Sequence, residues 1–140
     1  MKRQIEKTVD DILDRAKRDG AASLPQHERL VALAWEGTAR IGNGGFYKFY
    51  AEGSDIDELE RIYRALGLSD CAEACLRSKD QFPGSRPPST AEERDRLLRP
   101  RYEELEAAFW DIAQPIYAVA ETFDPLLDAL ERYLSRGRDA

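Results

Sequence analysis

The stretch EGTARIGNGGFYKFYAEGSD, Glu36–Asp55, decides how this chain folds. It reads as the end of a helix that runs into Asn-Gly-Gly. Four aromatic residues within five positions follow the glycines, and they are Phe46, Tyr47, Phe49 and Tyr50. Glycine adopts positive φ at little cost and asparagine tolerates it, so we predict that residues 42–45 end the helix and reverse the chain. The aromatic side chains then fold back and form a nucleus with the nearby Trp35.

Two other structures for this stretch are disfavoured by the sequence around it. Asn-Gly between apolar residues is typical of a β-hairpin, but the upstream segment has a helical period and no second strand mirrors YKFYAEGSD. A phosphate-binding loop follows a strand and usually carries Lys or Ser/Thr at a fixed offset. GNGGF follows a helix and matches no nucleotide fingerprint, so a helix-ending turn is the remaining interpretation.

Apolar residues recur at helical spacing in the first half of the chain. A first helix carries a stripe that ends before Gly20, made of Ile5, Val9, Ile12, Leu13 and Ala16. Ser23 with Gln26 predicts a capping box for the second helix. Ser54 or Asp55 caps a third helix that ends at Gly67. Asp70 with Glu73 opens a fourth, which we expect to direct Ala72, Cys75 and Leu76 inward.

The second half predicts further helices after an irregular, proline-rich loop at residues 82–89. Thr90 and Glu93 form another capping box. One long helix then carries apolar residues at spacings of three and four, from Leu105 to Phe123, with a kink near Pro115. Asp124 opens the last helix, whose inward residues are Leu127, Leu130 and Leu134. We therefore predict an all-α fold, a single domain over residues 1–140 and a compact bundle of six or seven helices.

Composition and charge exclude several classes of function. The chain has 140 residues, with 27 acidic and 21 basic residues and a net charge of −6. Binding to nucleic acid needs a basic footprint, so we expect no direct binding of nucleic acid and instead a basic protein partner. The longest apolar run, Val31–Trp35, is far shorter than a membrane span. The start of the chain lacks the apolar region of a signal peptide, which predicts a cytoplasmic location without membrane association.

No set of residues in the sequence supports a metal site, a cofactor or catalysis. Cys71 and Cys75 lie four positions apart, a poor geometry for a disulfide within one helix, and we expect both to be buried and reduced. A structural zinc site needs four ligands, and His27 is the only histidine. We find no nucleophile–base pair and no cofactor motif. The prediction is a protein that is not an enzyme, with no catalytic, metal-binding or cofactor-binding residues.

The acidic residues are segregated along the chain. Residues 102–131 contain no Lys or Arg and eight acids, which are Glu103, Glu104, Glu106, Asp111, Glu121, Asp124, Asp128 and Glu131. The other 19 acids are distributed among all 21 basic residues. Solubility alone does not require this segregation, so these eight residues are a candidate interaction surface. Trp110 lies off the apolar stripe of its helix and either packs under the last helix or anchors an interface, where Trp is enriched.

Several motifs resemble those of a known family. The signature Asn43, Gly44, Gly45 and Phe46, with YKFY after it, is similar to the N-N-G-G-F motif of the bacterial DUF4375 family, whose members are DNA-mimic-protein-nineteen-like. ELERIYRALG and YEELEAAFWDI are similar to further parts of that family, and the resemblance covers about residues 24–135. This chain departs from the pattern in having Ile41-Gly42 before the motif. The resemblance implies an all-helical cytoplasmic protein without catalytic residues and a relative that presents DNA-like negative charge to a DNA-binding protein.

These observations lead to one preferred function and two alternatives. The preferred function is a DNA mimic that occupies the DNA-binding surface of a basic regulatory protein, with a homodimer as one way to approach the phosphate spacing of DNA. The first alternative is an immunity protein or antitoxin that neutralises a basic toxin. The second is a helical small-ligand-binding domain in which Phe46, Phe49 and Tyr50 surround a cavity. Burial of these three side chains would exclude the pocket.

Overall fold

The fold is an all-α bundle, as the sequence predicted. The structure is a computed structural model that describes residues 3–52 and 55–139, with side chains described as far as residue 136. Within these residues there is no strand, and no helix is long and apolar enough to cross a membrane. The helices are α1 Gln4–Asp19, α2 Gln26–Ala51, α3 Ile56–Ala65, α4 Ser69–Lys79, α5 Ala91–Leu98, α6 Tyr102–Ile112, α7 Gln114–Ala120 and α8 Asp124–Asp139.

Helix α2 is the central element, and it contacts α1, α3, α5, α6, α7 and α8. The regular helix is interrupted at Gly45, where φ is 70° and ψ is −174°, so the predicted helix end within residues 42–45 is confirmed. This backbone conformation is essentially restricted to glycine. Twelve residues of continuous helix would span about 18 Å, but a carboxylate oxygen of Glu52 lies 2.6 Å from Nε of Arg40, so the segment after Gly45 turns back towards the first part of α2. The motif therefore divides α2 into two parts and turns the chain between them.

Gly42 serves close packing between helices. It lies inside α2 without a positive φ. A Cβ atom at this position would lie 2.7 Å from the Cβ of Ala120, which is closer than two carbon atoms can approach. The missing side chain thus allows the end of α7 to lie directly against α2, just before the kink.

The Gly45→Ala variant is expected to lose stability for two reasons. The backbone conformation alone costs about 1–3 kcal/mol for a residue with a side chain. The new Cβ would also lie 3.0 Å from the hydroxyl oxygen of Tyr117. Gly67→Ala is the control, because Gly67 has a φ of 76° but no atom within 4 Å of the added Cβ. We expect the Gly45 variant to lose more unfolding free energy in urea, and equal losses would contradict this account.

The aromatic residues after the kink form part of the core. Phe46, Phe49 and Tyr50 are 0%, 2% and 0% exposed. The ring centroids of Phe46 and Phe109 lie 5.8 Å apart, and those of Tyr50 and Phe82 lie 4.8 Å apart. The Tyr50 hydroxyl lies 2.7 Å from the Ser78 hydroxyl, which satisfies both buried groups. The predicted aromatic nucleus is confirmed, and the alternative of a ligand pocket between these three side chains is wrong.

Trp35 does not join this nucleus. Its half-buried ring stacks on Phe123, with centroids 4.3 Å apart and an interplanar angle of 27°. Trp35 precedes the kink by almost three helical turns, and the Phe123 ring lies at the junction between α7 and α8. This contact therefore fixes the start of α8 against the first half of α2.

Two of the predicted helix caps form and two do not. The Asp55 carboxylate accepts a hydrogen bond from Glu58 N at 3.1 Å, and the Thr90 hydroxyl accepts one from Glu93 N at 3.2 Å. Ser54 lies outside the described residues. The capping box of Ser23 with Gln26 is wrong, because the Ser23 hydroxyl donates to the carbonyl of Gly20 and α2 begins at Gln26 without a side-chain cap. Helix α4 begins after Leu68 and also lacks a side-chain cap, so Asp70 does not act as predicted.

Proline divides the predicted long C-terminal helix. Pro115 lies in the first turn of α7, where its missing N–H costs no hydrogen bond. The amides of Ile116 and Tyr117 both donate to the carbonyl of Ala113, between the two helices. The apolar stripe continues across this break, since Leu105, Phe109, Ile112, Ile116 and Val119 are all buried. Helices α6 and α7 are thus consecutive parts of one inward face.

Both cysteines are buried free thiols, as predicted. Burial raises the pKa of Cys71 to about 12 and also raises the pKa of Cys75. The thiolate is the reactive form of cysteine, so neither side chain is activated at neutral pH. Leu76, which the sequence placed inward beside them, is instead 39% exposed.

A salt bridge between α1 and α2 makes stability depend on pH. Both terminal guanidinium nitrogens of Arg15 donate to Glu28, at 2.8 and 2.7 Å, and these contacts lower the pKa of Glu28 below the usual 4.5. A carboxyl group with a lower pKa in the folded state stabilises the fold above its unfolded pKa, and this stabilisation is lost as the pH falls through the folded pKa. We expect Glu28→Gln to lower the melting temperature at pH 7, and we expect this difference to shrink progressively as the pH falls below 4.5. An unchanged difference at low pH would contradict this, and Asp14→Asn, at an exposed residue, is the control.

Candidate functional site

A groove lies between the kink of α2 and the helices α6 and α7. Its volume is about 540 Å³, and a second hollow of about 530 Å³ continues it past Asn43 and Gly44 towards the end of α7. We call the two together the aromatic groove, after four of the ring residues that line it, Tyr47, Tyr102, Trp110 and Tyr117. The kink at Gly45 forms one wall, and α6 forms the other.

The aromatic side chains of this groove are exposed to different degrees. Trp110 is 59% exposed and Tyr102 is 48% exposed, whereas Tyr47 and Tyr117 are half-buried. The rings form two pairs. Trp110 and Tyr117 are tilted at 41° with centroids 4.9 Å apart, and Tyr47 and Tyr102 meet edge to face at 5.0 Å. The groove therefore exposes aromatic surface to solvent, most of it from Trp110 and Tyr102.

Trp110 lies exposed in this groove, so the interpretation that it packs under the last helix as ordinary core is wrong. Its ring contacts that of Tyr117. Tyr117 follows seven positions later, about two helical turns, so the two side chains lie on the same side of consecutive helices α6 and α7. The side-chain amide of Gln114 donates to the backbone carbonyl of Trp110 at 2.8 Å, which satisfies an acceptor at the end of α6. Single exposed apolar residues are common on protein surfaces, so the role of Trp110 as an interface anchor stays a prediction.

The family signature lies at the edge of the groove. All four residues line it, and Asn43 and Gly44 are exposed whereas Gly45 and Phe46 are buried. The Tyr47 hydroxyl donates to a carboxylate oxygen of Asp95 on α5 at 3.1 Å. Burial and this carboxylate raise the pKa of Tyr47, so its ring stays neutral and fixed in the wall. The signature thus contributes to the groove through the backbone conformation of Gly45, which forms one wall.

The eight acids predicted as an interaction surface are all exposed, and their contacts divide them into two groups. The groove acids, as we call them, line the aromatic groove and are Glu103, Glu106, Asp111 and Glu121. Asp124, Asp128 and Glu131 lie on α8. Glu104 belongs to neither group, because it pairs with Arg101 at 3.2 Å.

The two groups differ in how their charge is compensated. Arg3 contacts Asp128 at 2.8 Å and Glu131 at 3.7 Å, so part of the charge on α8 is neutralised within the chain. The four groove acids form no ion pair and no side-chain hydrogen bond with any residue that the structure describes. Neither groove region is lined by a Lys or Arg. Asp124 on α8 also forms no ion pair with a described residue, so the uncompensated part of the predicted surface consists of the groove acids and Asp124.

The sequence interpretation missed the three tyrosines of the groove. Tyr117 could have been found from its spacing of seven from Trp110, which places two residues on one helical face. Tyr47 and Tyr102 come from helices that are distant in sequence, and nothing in the sequence alone brings them together. Among the described residues, no cluster of His, Cys, Asp and Glu could hold a metal ion.

The fold and the groove define a class: an all-helical protein whose acidic face surrounds exposed aromatic rings. A family model described as DMP19-like protein matches residues 22–136, so the chain belongs to the DMP19-like family. This match confirms the resemblance drawn from the Asn-Gly-Gly-Phe signature, while the designation DUF4375 stays a prediction. No curated protein and no solved structure matches the chain.

Proposed function

We propose that this protein is a non-enzymatic binding module that mimics DNA and occupies the DNA-binding surface of a basic DNA-binding or regulatory protein. The observation that carries the proposal is the set of four groove acids, which are exposed and uncompensated around one concave surface. Membership in the DMP19-like family adds support, since its name refers to a DNA mimic protein. The other four acids of the predicted surface lie outside the groove and supply its remaining negative charge, and they are Glu104, Asp124, Asp128 and Glu131.

The spacing of the acids determines how the mimic would work. One strand of DNA presents a phosphate about every 3.4 Å along the axis, whereas neighbours on one helix face are about 5–6 Å apart. A single helix is therefore too sparse to imitate a strand. Helix α6 supplies Glu103, Glu106 and Asp111, the end of α7 supplies Glu121, and the α8 acids or a second copy in a homodimer would extend the pattern.

The exposed Trp110 favours the immunity-protein or antitoxin alternative. Imitation of phosphates does not require a large apolar side chain, whereas inhibitors of other proteins commonly use Trp as an anchor. In this alternative the partner is a basic toxin whose contact surface need not be its DNA-binding site. Competition with duplex DNA separates the two functions.

The first experiment is capture from a lysate of the source cells with the purified protein as bait. The expected result is a DNA-binding protein that is released by raising the salt from about 50 to 200 mM and by excess duplex DNA. Recovery of one partner that duplex DNA cannot displace would contradict mimicry and support the alternative. Recovery of no specific partner at low salt would contradict both functions.

A further inference from the structure

The aromatic groove has the chemistry of a site for a single cationic side chain. Exposed aromatic faces attract a cation through the negative charge of the ring surface, most strongly at Trp. Trp110 is 59% exposed in the groove, with Tyr117 tilted against it at 41°. The groove acids surround these rings and have no cation of their own among the described residues. The rings and the carboxylates therefore both favour binding of a positively charged group from a partner.

The shape of the groove favours arginine over lysine. The guanidinium group is planar, stacks on aromatic faces and can contact two carboxylate oxygens at once, while the lysine ammonium is a more strongly hydrated point charge. The exposed Trp110 ring, with Tyr117 tilted against it, provides an aromatic surface in the groove. Glu103 and Glu106 line the same groove one helical turn apart on α6. A guanidinium stacked on Trp110 could therefore contact carboxylates of the same groove.

We propose that the aromatic groove binds an arginine side chain of a basic protein partner, with Trp110 as the stacking surface and the groove acids as its counter-charges. This inference rests on the proposed function, because it names the group that the partner inserts. It adds a specific anchor to an otherwise diffuse attraction. A phosphate mimic would bind any basic surface of the right spacing, whereas this groove selects a partner with a protruding arginine.

The test uses the full-length protein labelled with ¹⁵N and a peptide with three arginines spaced by glycines. The chain has two tryptophans, so the indole N–H signal of Trp110 reports on the groove and that of Trp35, stacked on Phe123, is an internal control. We expect the Trp110 signal to move with a saturable dependence on peptide concentration while that of Trp35 stays in place. The peptide with citrulline in place of arginine should bind at least tenfold more weakly, and the lysine peptide severalfold more weakly.

Variants separate the contributions of ring and charge. The double variant Glu103→Gln with Glu106→Gln should bind the arginine peptide at least tenfold more weakly. The Trp110→Ala variant should lose as much affinity, while Trp110→Phe should keep most of it. The matched control is Asp14→Asn with Glu73→Gln, which removes two exposed charges elsewhere and should change little. The proposal is overturned if no peptide moves the Trp110 signal, if citrulline or lysine binds as well as arginine, or if the free protein dimerises through Trp110.

The same variants distinguish this proposal from the proposed function. Suppose that Trp110→Ala binds the captured partner with the affinity of the wild type, and that duplex DNA still displaces the partner. The protein is then a mimic, and the proposed arginine site is wrong. If the peptide binds as expected but duplex DNA does not displace the captured partner, the arginine site stands and DNA mimicry fails.

Discussion

The Phe46→Ala variant is expected to lose about 3–5 kcal/mol of unfolding free energy, the cost of deleting a fully buried aromatic ring. Phe46 is 0% exposed and contacts the rings of both Tyr50 and Phe109. It follows the kink directly, so the cavity would open between α2 and α6 beneath the aromatic groove. Urea denaturation at pH 7 measures the loss.

Two comparisons make this prediction specific. Phe46→Leu keeps most of the apolar volume and should lose about 1–2 kcal/mol. Trp110→Ala deletes a larger ring but one that is already 59% exposed, and it should lose about 1 kcal/mol or less. A Phe46→Ala variant as stable as Trp110→Ala would contradict the assignment of the aromatic nucleus as core.

Neutralising all four groove acids is expected to weaken binding to the captured partner about 100-fold. Each carboxylate at a solvent-exposed interface contributes roughly 0.7 kcal/mol, and together these contributions correspond to about two powers of ten in Kd. The variant combines Glu103→Gln, Glu106→Gln, Asp111→Asn and Glu121→Gln. Because the lost interactions are electrostatic, the salt dependence of binding should flatten as well. Titration of the partner by fluorescence anisotropy measures both quantities.

The control removes the same amount of charge from other surfaces. Its four substitutions fall on exposed acids that form no ion pair within the described residues, at Asp14, Asp70, Glu73 and Glu93. Both variants have the same net charge. Equal losses of affinity would show that only total charge matters and would contradict a defined site at the groove.

Much of the fold was predictable because helical periodicity, glycine stops and two N-caps all act locally. Gly20 and Gly67 end their helices with positive φ, and Asp55 and Thr90 cap theirs as expected. The Asn-Gly-Gly motif interrupts its helix at Gly45 as predicted, because the required backbone conformation is local and favours glycine. The partners of the aromatic residues after it were not predictable, since Phe46 and Tyr50 pack against Phe109 of a helix distant in sequence.

The site was predictable in its charge and less so in its shape. The eight acids were visible as a segment without basic residues, but their pairing with Arg3 and Arg101 depends on tertiary contacts. Those contacts leave the groove acids and Asp124 as the uncompensated charge of the predicted surface. The aromatic groove itself joins residues 55 positions apart in the chain, from Tyr47 to Tyr102. Such a contact leaves no local signal in the sequence.

The most direct measurement of the central claim is competition for the partner's DNA-binding surface. A labelled duplex is first bound to the captured partner, and the protein is then added while the anisotropy of the duplex is followed. DNA mimicry predicts that the anisotropy falls to that of free duplex, and that the variant without groove acids needs about 100-fold more protein to achieve this. An anisotropy that rises, because protein, partner and duplex form one complex, would contradict the claim.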